Sequence, residues 1–280
     1  MKTLGLLLLA ALGIGLTARA EGPRPFLFLK TGEKFATQEI AAPTVAGLTA
    51  YIGEKTAGAT NAFEPRVMND PVKAAEFSGK SKPALGIVTA GFYLTYAKAL
   101  GMEPLLEVKR AGVKEEQFVL VAKKDGPEDL AKLEGKTIAT PLAGEERYVV
   151  SVILQGKAGE EVRLQQTMDV EGAVFDLAEN SKKAADAVLL ETGAWDLFKD
   201  DPDSGGKLKV VYQSEELPHD FLVVFAPKSD TINLDKLKQV LKDMNGNEDG
   251  RKVLQSIRVE SFVDIDSGRF SKAEKLFYGK

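Results

Sequence analysis

The chain has one histidine, His219, and no cysteine. Thiol nucleophiles, disulfides and cysteine-held metals are therefore excluded. A Ser-His-Asp arrangement would have to use His219, yet no serine stands in the G-x-S-x-G setting that presents such a nucleophile at a strand-to-helix turn. Gly79-Lys80-Ser81 has the form of the end of a phosphate-binding loop, but that pattern needs a glycine where Ala74 stands. Asn245 to Gly250 has the composition of a calcium loop, whose twelfth position must supply a bidentate carboxylate and is Ser256. We read the first as a solvated turn, the second as a connection between helices and His219 as a loop residue at a cleft rim or the surface. No metal and no cofactor is expected. What remains is a set of polar and aromatic residues at the ends of apolar runs: Thr31, Thr89, Phe92, Tyr93, Thr140, Arg147, Glu191 and Asp220. Hydroxyls, ring faces, a guanidinium and two carboxylates can hold a small molecule without covalent chemistry, and we take these eight as ligand-binding candidates.

The elements around them must do the positioning. Residues 26–30 read as a buried strand that ends at Thr31-Gly32. Val45, Leu48, Tyr51 and Ile52 lie on one face of a helix over 42–56. A strand over 63–68 is followed by Asp70-Pro71, a cap with proline at the first helical position. A third apolar run, 84–88, leads through Thr89 to Tyr93 into a helix ending near Gly101. This alternation predicts a parallel sheet covered on both faces. Residues 118–122 form the next strand. A turn at 124–127, a short helix over 128–133 stopped by Gly135, and a strand over 136–140 follow it. Helices are expected at 145–155, 170–180 and 192–198, and strands at 161–164, 185–190 and 208–212. After the strongly apolar run 221–225 the tail reads as helices at 234–244, 248–257 and 271–277.

The runs 118–122 and 221–225 bracket about 100 residues with their own alternation. We therefore expect an α/β fold of two lobes, each a mixed sheet flanked by helices. Residues 21–120 with 222–280 make lobe one, 121–221 make lobe two, and the two apolar runs cross side by side at the hinge. Ligands on such sheets bind outside the carboxyl ends of the strands, so the cleft between lobes is the expected site.

Lys2, the apolar run 4–16 and Ala18-Arg19-Ala20 have the form of a secretory signal, which predicts cleavage after Ala20 and a mature start at Glu21. The apolar run is too short to span a bilayer comfortably. Without cysteine a lipoprotein form is excluded, and the expected location is periplasmic or secreted. The 37 basic and 41 acidic residues become 35 and 41 once Lys2 and Arg19 are removed, a net charge near −6 that argues against a nucleic-acid partner.

Four segments carry a resemblance to a known family. They are 118–125 with 129–139, then 185–188, then 210–214 with 217–220, and finally 247–254 with 262–263. In order and spacing they resemble the phosphate/phosphite/phosphonate-binding family of periplasmic substrate-binding proteins of ABC importers, over residues 118–266. The resemblance implies a two-lobed protein that closes on a small molecule by hinge motion, works with an ABC permease, acts as a monomer and is not an enzyme. A sensor or interaction protein on the same fold is the alternative, and a secreted enzyme a more distant one. In the family, a Ser-Thr-Ser type loop and the helix start after it hold an anion. Here 140–147 reads TPLAGEER, so the hydroxyl cluster is missing and Glu145 and Glu146 stand at the helix start. The resemblance thus implies the fold but not a phosphonate ligand.

Overall fold

The structure, a computed structural model, describes residues 22–159, 161–225 and 232–279. The expected targeting segment and its expected cleavage point lie outside the described residues.

The first lobe begins β1 (Arg24–Leu29), α1 (Gln38–Ala57), β2 (Phe63–Met68), α2 (Pro71–Ser81), β3 (Leu85–Val88), α3 (Ala90–Leu100) and β4 (Met102–Arg110). The cap at Asp70 forms as expected: its side chain accepts from the backbone N–H groups of Val72 and Lys73, with Pro71 opening α2. Gly79-Lys80-Ser81 is the last turn of that helix and not a phosphate loop. The second lobe holds β5 (Phe118–Lys123), β6 (Thr137–Thr140), α4 (Glu146–Tyr148), β7 (Arg163–Gln166), α5 (Val170–Ala178), β8 (Ala187–Glu191), α6 (Thr192–Trp195) and β9 (Leu208–Gln213). The chain then returns through β10 (Asp220–Phe225), α7 (Leu234–Lys242), α8 (Glu248–Ser256), β11 (Val259–Val263) and α9 (Ser267–Tyr278).

Each lobe has one mixed sheet, in the orders β11-β4-β10-β3-β1-β2 and β7-β6-β8-β5-β9. In the first, β1 pairs in parallel with β2 and β3, as the alternation predicts. The returning β10 then inserts antiparallel between β3 and β4. β4 and β11 escape the sequence reading. β4 contains Pro104, which argues against a central strand. It is accommodated because the β4–β10 register shifts between Leu222 and Val223, where Pro104 lies opposite Val223.

The two apolar runs do not cross side by side. β5 lies in the second sheet between β8 and β9, and β10 lies in the first. Residues 118–120, assigned to lobe one from sequence, thus belong to the second sheet, and residues 220–221, assigned to lobe two, to the first. The reason is burial: five consecutive apolar residues need cover on both faces, which the middle of a sheet supplies and a hinge does not. The links before each run make the crossings. An isolated antiparallel bridge joins Glu116 to Leu217, with the Leu217 N–H donating to the Glu116 carbonyl at 2.9 Å.

One apolar cluster runs through both lobes, joining Leu29, Val88 and Phe92 to Phe118, Leu120 and Tyr148. α9 straps its back. The Tyr278 hydroxyl donates to the Leu94 carbonyl at 2.8 Å, and Arg147 Nη2 donates to the Phe277 carbonyl at 2.9 Å. Among the described residues no helix is long and apolar enough to cross a membrane.

Candidate functional site

The carboxyl ends of β1 and β3 point at the second lobe and carry Thr31 and Thr89. Thr89 is the N-cap of α3, its Oγ1 accepting from the Phe92 N–H at 3.3 Å. Facing them, the turn after β6 brings up Glu145. Glu145 Oε1 accepts hydrogen bonds from both Thr31 Oγ1 and Thr89 Oγ1, across the lobe boundary. Its other oxygen, Oε2, is buried and has no partner among the described residues. Oε2 lies so close to the start of α3 that a Cβ on Gly91 would overlap it. A second close approach lies beside it: Gly32 sits at φ +71°, and a Cβ there would overlap the carbonyl oxygen of Pro141. Glycine is needed at both places for the lobes to meet. Burial pushes the Glu145 carboxyl up to about 7, against the pull of the two threonine hydroxyls; the Asp220 carboxylate adds to the rise and Lys30 opposes it.

A charged cluster flanks this contact. Arg110, the last residue of β4, donates from Nε and Nη2 to the two oxygens of Glu116 at 2.9 and 2.5 Å. Its Nη1 donates to Glu191 Oε1, across the cleft at the end of β8, at 2.9 Å. His219 is not a rim residue. It is buried, with Nδ1 3.1 Å from Glu116 Oε1. Burial alone would raise the Glu116 carboxyl, but hydrogen bonds from His219 and Arg110 outweigh it and hold it at about 2. Asp220 forms an ion pair with Lys30. Between these groups remains a cavity of about 90 Å³, lined by Lys30, Thr31, Arg110, Glu191 and Asp220 among others. A wider mouth of about 470 Å³ opens outside it past Phe35, Leu142 and Met168.

Four of the eight candidates therefore converge: Thr31, Thr89, Glu191 and Asp220. The other four lie elsewhere. Phe92 is fully buried with its ring 4.9 Å from Tyr96. Tyr93 packs edge-on against Phe221 at 5.3 Å, and burial pushes its hydroxyl up to about 12. At a helix start the backbone N–H groups face the cleft while the first-turn rings turn to the core. Thr140 is buried and its Oγ1 accepts from the Leu142 N–H at 3.3 Å, which shapes the turn. Arg147 lies in the short helix α4 that follows Glu145 and faces away from the cleft, its guanidinium 4.4 Å above the Phe277 ring. Sequence reading missed Lys30, Arg110 and Glu116. Lys30 was visible as a cation closing an apolar strand. Arg110 was hidden with the strand that carries it.

The family described as ABC transporter, phosphonate, periplasmic substrate-binding protein matches residues 35–269. The chain belongs to this family. It is thus a substrate-binding protein, of a family that captures small-molecule solutes for ABC importers and is not a family of enzymes. Solved structures agree on the fold. A binding protein component of an ABC phosphonate transporter from Pseudomonas aeruginosa is 15% identical, with a TM-score of 0.63 over 91% of this chain and 86% of that one. PhnD1 from Prochlorococcus marinus in complex with methylphosphonate is 13% identical, with a TM-score of 0.61 over 92% and 98%. A Xanthomonas citri protein bound to chloride ion is 13% identical, with a TM-score of 0.67 over 91% and 96%. A search of curated proteins found no match. The two-lobed α/β architecture and the solute-binding reading expected from the resemblance thus hold for this member of the family.

Proposed function

We propose that this solute-binding protein captures, in the cleft around Thr31, Thr89, Arg110, Glu191 and Asp220, a small molecule that is neutral or carries hydrogen-bond donors or a positive group. It does not bind phosphate or simple phosphonates tightly. One observation carries the reading: the buried Glu145 carboxyl already occupies the place where an anion would meet the two threonine hydroxyls and the start of α3. The cations nearby are committed, Lys30 to Asp220 and Arg110 to Glu116 and Glu191. An arriving dianion would meet these carboxylates at close range. Two unit charges about 4 Å apart at an effective dielectric of about 20 repel by about 4 kcal/mol. Two charge-assisted hydrogen bonds return about as much, leaving little net affinity. The protein acts as a monomer, is exported by loss of residues 1–20 and hands its solute to an ABC permease.

Thermal shift tests the ligand class. Phosphate, phosphite, methylphosphonate and 2-aminoethylphosphonate at millimolar concentration should leave Tm unmoved. At least one member of a panel of sugars, amino acids and amines should raise it, and Thr31→Val should abolish that rise. A rise with any of the four phosphorus compounds, lost in Thr89→Val, overturns the reading.

A further inference from the structure

We propose that Glu145 is a tethered ligand: its side chain fills a seat on the first lobe that accepts a free carboxyl group, and in filling it holds the two lobes shut in the absence of solute. Three observations converge on this. The two hydroxyl donors come from the ends of different strands of the first lobe, yet both address the single oxygen Oε1 of a residue of the second lobe. The other oxygen is buried against the start of the eleven-residue α3, where only a glycine leaves it room. Glu145 itself is only 5% exposed, so this is no surface ion pair but a buried carboxyl group at the wall of the cleft cavity, which Tyr148 also lines. Hydroxyls, the positive end of a helix and an absent Cβ are what a carboxyl group needs from a binding site. Because the donors and the carboxyl group sit on different lobes, these bonds exist only while the lobes are together. Opening the cleft must break them and leave the seat to water.

A free carboxylic acid should then substitute for the side chain once the tether is cut. The proposal does not depend on which solute the cleft takes, because acetate and not the solute is the probe. The experiment compares the wild type, Glu145→Ala and Gly91→Ala by small-angle scattering and thermal unfolding at pH 5, where part of the added acid is protonated as the buried seat requires, without solute and with millimolar acetate. The wild type should keep one radius of gyration regardless of acetate. Glu145→Ala should show a larger radius and a lower Tm, and acetate should reverse both. Gly91→Ala should also show the larger radius, because its methyl group would meet both the carboxyl group and the Tyr148 ring, but acetate should not reverse it, because the same methyl group fills the seat. If Glu145→Ala keeps the wild-type radius, or if acetate treats the two variants alike, the proposal is wrong. If Glu145→Ala lacks the far-UV signature of a folded chain, the double variant Thr31→Val/Thr89→Val, which removes both hydroxyl donors and leaves Glu145 in place, decides: a larger radius supports the tether and an unchanged one overturns it. The ligand class is read as a Tm rise of the wild type with solute and the tether as a radius without solute, so failure of the proposed ligand class and failure of the tether show up in separate measurements.

Discussion

Glu145→Gln should change how stability depends on pH. In the folded protein burial pushes the Glu145 carboxyl from 4.5 up to about 7, while in the unfolded chain it keeps its ordinary value. Between those values the folded state holds a proton that the unfolded state has released, so stability must fall as pH rises through the window. The contribution is fully present below pH 4.5 and gone above 7. Its size follows from the shift and is about 3 kcal/mol, most of it lost between pH 5 and 8. Glutamine keeps an oxygen to accept from Thr31 and Thr89 and has no proton to lose. Glu107, also raised by burial, slopes the same way but is common to both proteins. Glu116 titrates below the window. Urea unfolding followed by circular dichroism at pH 4 and pH 8 reads the effect. The variant should match the wild type at the lower pH and exceed it by about 3 kcal/mol at the higher. Equal losses in the two proteins between these pH values would refute the assignment of Glu145 as a buried carboxyl group of raised affinity for protons.

Arg110→Ala should cost about 3 kcal/mol in urea unfolding, because it leaves the buried Glu116 without its main counter-charge. Glu116 itself is depressed to about 2, so its contribution is present above pH 4.5 and lost as pH falls towards 2; Glu116→Gln should flatten the acid limb of the stability profile measured below pH 4.5. Arg147→Ala should leave the affinity for any solute found by thermal shift unchanged and lower stability by about 1 kcal/mol, since it removes a hydrogen bond to the Phe277 carbonyl and a ring contact at the far side of the lobe. Gly32→Ala should enlarge the radius of gyration measured by small-angle scattering, because its methyl group would meet the Pro141 carbonyl where the lobes close.

The sequence alone determined the architecture. Alternating apolar runs and amphipathic segments specify strands and helices through backbone periodicity, and local signals such as the Asp70 cap or Gly135, at φ +68° in the structure, act over a few residues. Polar residues at or beside the ends of apolar strands could be named as cleft residues for the same reason, and Thr31, Thr89, Glu191 and Asp220 are there. The tertiary structure decided what periodicity does not encode. Pairing places β5 and β10 in separate sheets, because a wholly apolar strand is stable only when neighbours cover both faces. Proline disguises β4, and with it Arg110, until a register shift on the neighbouring strand makes room. The role of Glu145 is the clearest case. In sequence it is an acid at a helix start, where the favourable place for it is near the helix's own free N–H groups. It is instead buried against the start of another helix on the other lobe, between hydroxyls 114 and 56 residues away. That contact depends on two surfaces meeting, and no local pattern carries it.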